Sequence, residues 1–124
     1  MEPLIISKTD DTPSIHLDLT SKKFEFSGKS LPEDVATFYA PVFEWITRYS
    51  EVADGESVFI FNMAYFNTAS SKIILDILMR LEEMHNAGKP ILIEWQHEED
   101  DEDMQEAGEE YSEIVEIPFK FIKI

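Results

Sequence analysis

The segment Tyr65-Phe66-Asn67-Thr68-Ala69-Ser70-Ser71-Lys72 gathers three hydroxyls and a lysine within five positions, between an apolar run and a stretch of helical period. Asn67 and Thr68 are both good N-cap residues, so in its plainest form the segment is a capped helix start. The density of hydroxyls adds a chemical possibility. A phosphoryl group on Thr68, Ser70 or Ser71 would sit at a helix N-terminus, among unpaired backbone N–H groups and the positive end of the dipole, with Lys72 within reach. Its addition would place nearly two negative charges on a surface that a partner reads. The carboxyl end of a strand in an open α/β sheet is also where such folds place functional groups.

Other chemistry finds little to stand on. His16, His85 and His97 fall on different expected elements, and no pair has the i, i+4 spacing of a helical metal site. Each is expected at the surface or at its boundary. There is no cysteine, which removes disulfides, thiolate zinc sites, Fe–S clusters and cysteine nucleophiles. Four glycines form neither a phosphate-binding loop nor a GxSxG elbow. The run Glu98-Glu99-Asp100-Asp101-Glu102-Asp103 lacks the alternating ligands and central glycine of a calcium loop, and reads as a solvated segment ahead of a helix. No catalytic residue, metal ligand or cofactor site is assigned.

Lys+Arg 10 against Asp+Glu 26 leaves a formal net charge of −16 over 124 residues. Such a chain repels nucleic acid and anionic membrane surfaces. Most of the excess lies between Glu94 and Glu116, a segment with no basic residue. With 44% hydrophobic residues the chain can still fill a core, and its length suits one domain, residues 1–124. No apolar run is long enough to span a bilayer, and Met1-Glu2-Pro3-Leu4 lacks the features of a signal peptide, so the cytoplasm is the expected compartment.

The elements that position the hydroxyl-rich turn follow from periodicity. Residues 4–6, 15–19 and 23–26 alternate as short strands, the last two forming a hairpin. Val35, Phe38, Tyr39, Val42, Phe43, Ile46 and Tyr49 mark one stripe of a helix, with Ser30 and Glu33 at capping-box spacing before it. Pro41 predicts a kink there, or a helix proper that starts near it. Residues 58–65 read as a central strand apolar on both faces and so covered on each side. A helix over about 69–87, a strand over 91–96, a helix over about 104–112 and a strand over 117–124 complete the order β-β-β-α-β-α-β-α-β. That order makes an α/β mixed sheet with packed helices. It resembles the STAS domain of bacterial anti-sigma-factor antagonists.

The residues also resemble a more particular family. The stretch from Phe66 to Lys72 with Asp76 beyond it is similar to the phosphorylation segment of the SiaC family of bacterial regulatory phosphoproteins, whose fold is STAS-like. Thr12-Pro13, the run from Gly28 to Glu33, Glu44-Trp45, Leu81-Glu82-Glu83, Gly88-Lys89-Pro90 and Trp95 extend the resemblance over nearly the whole chain. It implies a signalling protein without catalytic activity. A SiaB-type Ser/Thr kinase would phosphorylate Thr68, and a SiaA-type PP2C phosphatase would remove the phosphate. The unphosphorylated form would bind and activate a SiaD-type diguanylate cyclase, raising cyclic di-GMP and promoting biofilm formation. Asn67, Ser70 and Ser71 would then shape the phosphosite, and Lys72 would contact the phosphate or the partner. The competing reading is an anti-sigma-factor antagonist acting through a kinase that sequesters a sigma factor.

Overall fold

The computed structural model describes all residues 1–124. The elements run β1 (Leu4–Ile6), β2 (Ser14–Asp18), β3 (Lys23–Ser30), α1 (Val35–Val52), β4 (Ser57–Phe66), α2 (Thr68–Asn86), β5 (Ile91–His97), α3 (Glu102–Ile114) and β6 (Phe119–Lys123). All six strands join one sheet in sequential order, antiparallel from β1 to β3 and parallel from β3 to β6. Each of the three crossovers steps the same way across the sheet. With the usual right-handed connection, that places all three helices on a single face.

The alternation of burial follows from this layering. Ile15, Leu17, Phe24, Phe26, Phe59, Phe61, Ile93 and Trp95 point under the helices and are buried. Their neighbours His16, Glu25, Ile60 and Glu94 lie in one cross-strand row on the other face and are only half-buried. The expectation that the central strand is covered on both sides is therefore corrected. β4 is apolar on its second face, yet no helix packs there. A ladder of aromatic contacts ties the covered face together, with Phe24–Phe59 and Phe26–Phe61 stacked at 4.7 Å across β3 and β4.

Helix α1 begins at Val35, not near Pro41, and passes through the proline. Pro41 is exposed on the outer side, where the carbonyl freed by its missing N–H can reach water. The cap is Asp34, whose carboxylate accepts from the Thr37 N–H at 3.2 Å and from the Thr37 hydroxyl at 2.8 Å. These bonds hold the Asp34 pKa below its ordinary value, led by the one from the Thr37 hydroxyl. The expected capping box of Ser30 and Glu33 does not form, because Ser30 ends β3 and is fully buried.

One irregularity shapes the end of β4. Gly28 pairs with Met63 but the next residue, Lys29, pairs with Tyr65, so Ala64 is an extra residue on β4. This bulge inverts the alternation beyond it. Phe66 turns in toward Tyr111, with ring centroids 6.4 Å apart, while Tyr65 turns out and is 52% exposed.

Candidate functional site

The hydroxyl-rich turn links β4 to α2, and its side chains have three different fates. Asn67 is the N-cap of α2, its Oδ1 accepting from the Ser70 N–H at 2.9 Å and its carbonyl from the Ser71 N–H at 2.8 Å. Thr68 is the first helical residue and is exposed. Ser70 is fully buried: its hydroxyl donates to the Ser30 carbonyl at 2.9 Å and accepts from the Ser30 hydroxyl at 2.8 Å. The same Ser30 carbonyl also accepts from the Asn67 N–H at 3.2 Å. Ser71 is half-buried against α3, with its Oγ 3.1 Å from the Tyr111 hydroxyl, which itself donates to the Ser71 carbonyl at 2.8 Å. Lys72, exposed, follows Thr68 by one helical turn on the same stripe.

The turn is thus pinned from below. Tyr39 of α1 completes the buried chain, its hydroxyl 2.7 Å from Ser30 Oγ. Because Ser30 donates to Ser70, Tyr39 is left to donate to Ser30. Ser30, Tyr39 and Tyr111 are the supporting residues that the sequence reading missed. Ser30 and Ser70 are 40 residues apart and meet only because β3 and β4 are parallel neighbours; no local pattern announces such a pair.

Burial pushes the Tyr39 phenol up to about 12, opposed in part by its hydrogen bond with Ser30, and burial likewise raises that of Tyr111. An acid whose folded pKa is raised contributes stability below its unfolded pKa and loses it as pH climbs to the folded one. Stability is therefore expected to fall by about 2–3 kcal/mol between pH ~10 and ~12 on account of Tyr39. Urea titrations across that range should show the slope, and Tyr39→Phe should flatten it while lowering stability at neutral pH.

The histidines do not converge. His16 lies on the open sheet face, His85 accepts from the Ile91 N–H through Nδ1 at 3.0 Å, and His97 is buried with Nδ1 2.9 Å from the Glu98 carbonyl. The expectation that every histidine is a surface or boundary residue fails at His97, whose position on β5 faces α3. No group of three or more histidine and carboxylate side chains is placed to hold a metal ion. The acidic run is an exposed turn that leads into α3, with Asp101 as N-cap accepting from the Met104 N–H at 3.0 Å. Glu102 and Asp103 occupy the first turn of that helix, where the dipole favours them.

Residues 6–124 match the family described as SiaC family regulatory phosphoprotein. The chain belongs to that family. An uncharacterised protein of Pseudomonas aeruginosa strain UCBPP-PA14 is 33% identical over 121 residues, 96% of this chain and 94% of its own. The crystal structure of apo-SiaC from Pseudomonas aeruginosa superposes with a TM-score of 0.89 at 30% identity, over 98% of this chain and 99% of that one. The matched chain in the crystal structure of the diguanylate cyclase SiaD with its activator SiaC, from the same organism, gives a TM-score of 0.91 at 30% identity, over 98% and 99% of the two chains. The SiaC fold, with the expected order of strands and helices, is thereby shown for this chain.

Proposed function

We propose that this SiaC-family protein is a non-catalytic switch in a partner-switching pathway, phosphorylated on Thr68 by a Ser/Thr kinase and reset by a PP2C-like phosphatase. In the cytoplasm the unphosphorylated form binds and activates a diguanylate cyclase, promoting cyclic di-GMP synthesis and, through it, biofilm formation. The observation that carries this reading is the fate of the three hydroxyls. Ser70 is buried and Ser71 half-buried, both bonded to other parts of the fold, while Thr68 is exposed at the first position of α2. A kinase can reach Thr68 without unfolding the turn. The cyclase–activator complex of the Pseudomonas aeruginosa relative favours a cyclase as effector over a sigma-factor pathway.

The surroundings suit a phosphate that comes and goes. First-turn amides of α2 and the dipole stabilise an anion there, and Lys72 lies one turn on. Asn67 and Ser70 hold the loop in the same shape whether or not Thr68 is modified. Incubation of the chain with its cognate kinase and ATP, followed by peptide mass spectrometry, is expected to place the phosphate on Thr68 alone. Thr68→Val should abolish the label. A phosphate found on Ser70 or Ser71 would overturn the assignment.

A further inference from the structure

The second face of the sheet lies bare. Because the helices pack on one side only, the parallel strands β3 to β6 carry Val58, Ile60, Leu92 and Ile122 on the other, half-buried by their neighbours with no helix over them. Parallel strands are ordinarily covered on both faces. Val58 and Ile60 are successive open-face positions of β4, and Val58 pairs with Leu92 of β5, so the apolar patch is contiguous at the middle of the sheet. Around it stand the polar side chains of Glu25, Asn62, Glu94, Gln96 and Lys120, an apolar centre within a polar rim.

The charges on this face are ordered. One cross-strand row reads Glu25, Ile60, Glu94 and Lys120 from β3 to β6. Neither of the two ion pairs in the molecule, Glu44–Arg48 and Arg80–Glu83, uses any of them. Glu25 and Lys120 therefore stand at opposite ends of the row without an ionic partner in their own chain. A two-fold axis parallel to the strands, between β4 and β5, lays β3 of one copy over β6 of another and β4 over β5. Val58 then meets Leu92 of the second copy and Glu25 meets its Lys120, each contact occurring twice. An axis across the strands sets Glu25 on Glu25 and Glu94 on Glu94, so charge selects the first arrangement. Sheets packed face to face lie about 10 Å apart with strands within about 30° of each other, a gap that a glutamate and a lysine can bridge.

The excess negative charge does not oppose this contact strongly. The carboxylates of α3 lie in the helix layer, on the far side of each sheet, and their repulsion is screened over about 8 Å at physiological salt.

We infer that two copies of this chain associate by stacking their open sheet faces about that axis. Thr68 and the helix layer stay outward, so the dimer presents two switch segments, and the inference goes beyond the function proposed above. Four facing strands, about 5 Å apart and about 17 Å long, cover less than a standard interface. The association is accordingly weak, with an expected Kd of about 10 to 100 µM.

The test is sedimentation velocity on the full chain from about 10 µM to about 1 mM, across that Kd range. The wild type is expected to pass from one chain mass toward two. Val58→Glu, which puts a charge at the centre of the patch, should weaken association by about tenfold or more. Glu25→Lys and Lys120→Glu, each alone, set like charges against each other at both contacts and should sediment as single chains. An equimolar mixture of these two variants should dimerise again, because every contact is then between opposite charges. Circular dichroism confirms that each variant is folded. A wild type that remains a single chain up to about 1 mM would overturn the dimer and leave the face to another occupant. A dimer that survives Val58→Glu, or charge variants that associate no better mixed than alone, would overturn this arrangement of the two faces.

Discussion

Chain phosphorylated on Thr68 is expected to bind its effector about a hundredfold more weakly than unmodified chain, with a thermal midpoint shifted by no more than a few degrees. The two effects separate because they draw on different environments. In the free protein Thr68 is exposed at the first position of α2, where an anion meets the helix dipole and water, a setting worth a few tenths to about 1 kcal/mol in its favour. A dianion carried into a partner interface must instead lose much of its hydration. A penalty of about 3 kcal/mol corresponds to the hundredfold loss. Thr68→Asp, with a single charge and a shorter reach, should lose about tenfold, and Thr68→Val should bind as the unmodified chain does. Calorimetry with the effector and scanning calorimetry on the free chain measure the two quantities. Equal affinities for phosphorylated and unmodified protein would remove Thr68 as the switch.

The capped turn from Asn67 to Lys72 was legible in the sequence because its signals are local. Asn67 caps and Thr68 begins a helix through backbone bonds that close within four residues, and the stripes of α1 and α2 repeat over several turns. What stayed hidden depends on contacts across the sheet. Ser30 matched a capping box by spacing, but β3 extends to that residue and carries it under α2, leaving Asp34 to cap α1. The bulge at Ala64 leaves no mark in an apolar run, although it decides that Phe66 faces inward and Tyr65 outward. The apolar residues on the second face of β4 suggested a covering helix. That failed because every crossover steps the same way, a property of the topology and not of the strand. His97 reads as a surface or boundary residue like the other two histidines, yet the alternation of β5 turns it under α3.

Gly108 is where the geometry contradicts a simple rule of helix stability, and the largest expected loss of stability follows from it. A glycine inside a helix costs about 1 kcal/mol relative to alanine, so Gly108→Ala would ordinarily stabilise α3. Here a Cβ at position 108 would lie 2.4 Å from Cδ1 and 2.5 Å from Nε1 of Trp95. Trp95 cannot give way: it is fully buried, packs on Phe61 and Tyr111, and donates from Nε1 to the Met104 carbonyl at 2.9 Å. The helix must move instead, which breaks that bond and opens the contact of α3 with β5. Gly108→Ala is therefore expected to destabilise the protein by about 3 kcal/mol, and Gly108→Val by more. Urea unfolding followed by tryptophan fluorescence measures the loss. Trp95→Phe in the Gly108→Ala background should recover part of it, giving a favourable coupling energy in the double-mutant cycle. Stability unchanged or raised by Gly108→Ala would mean that α3 does not rest on the indole.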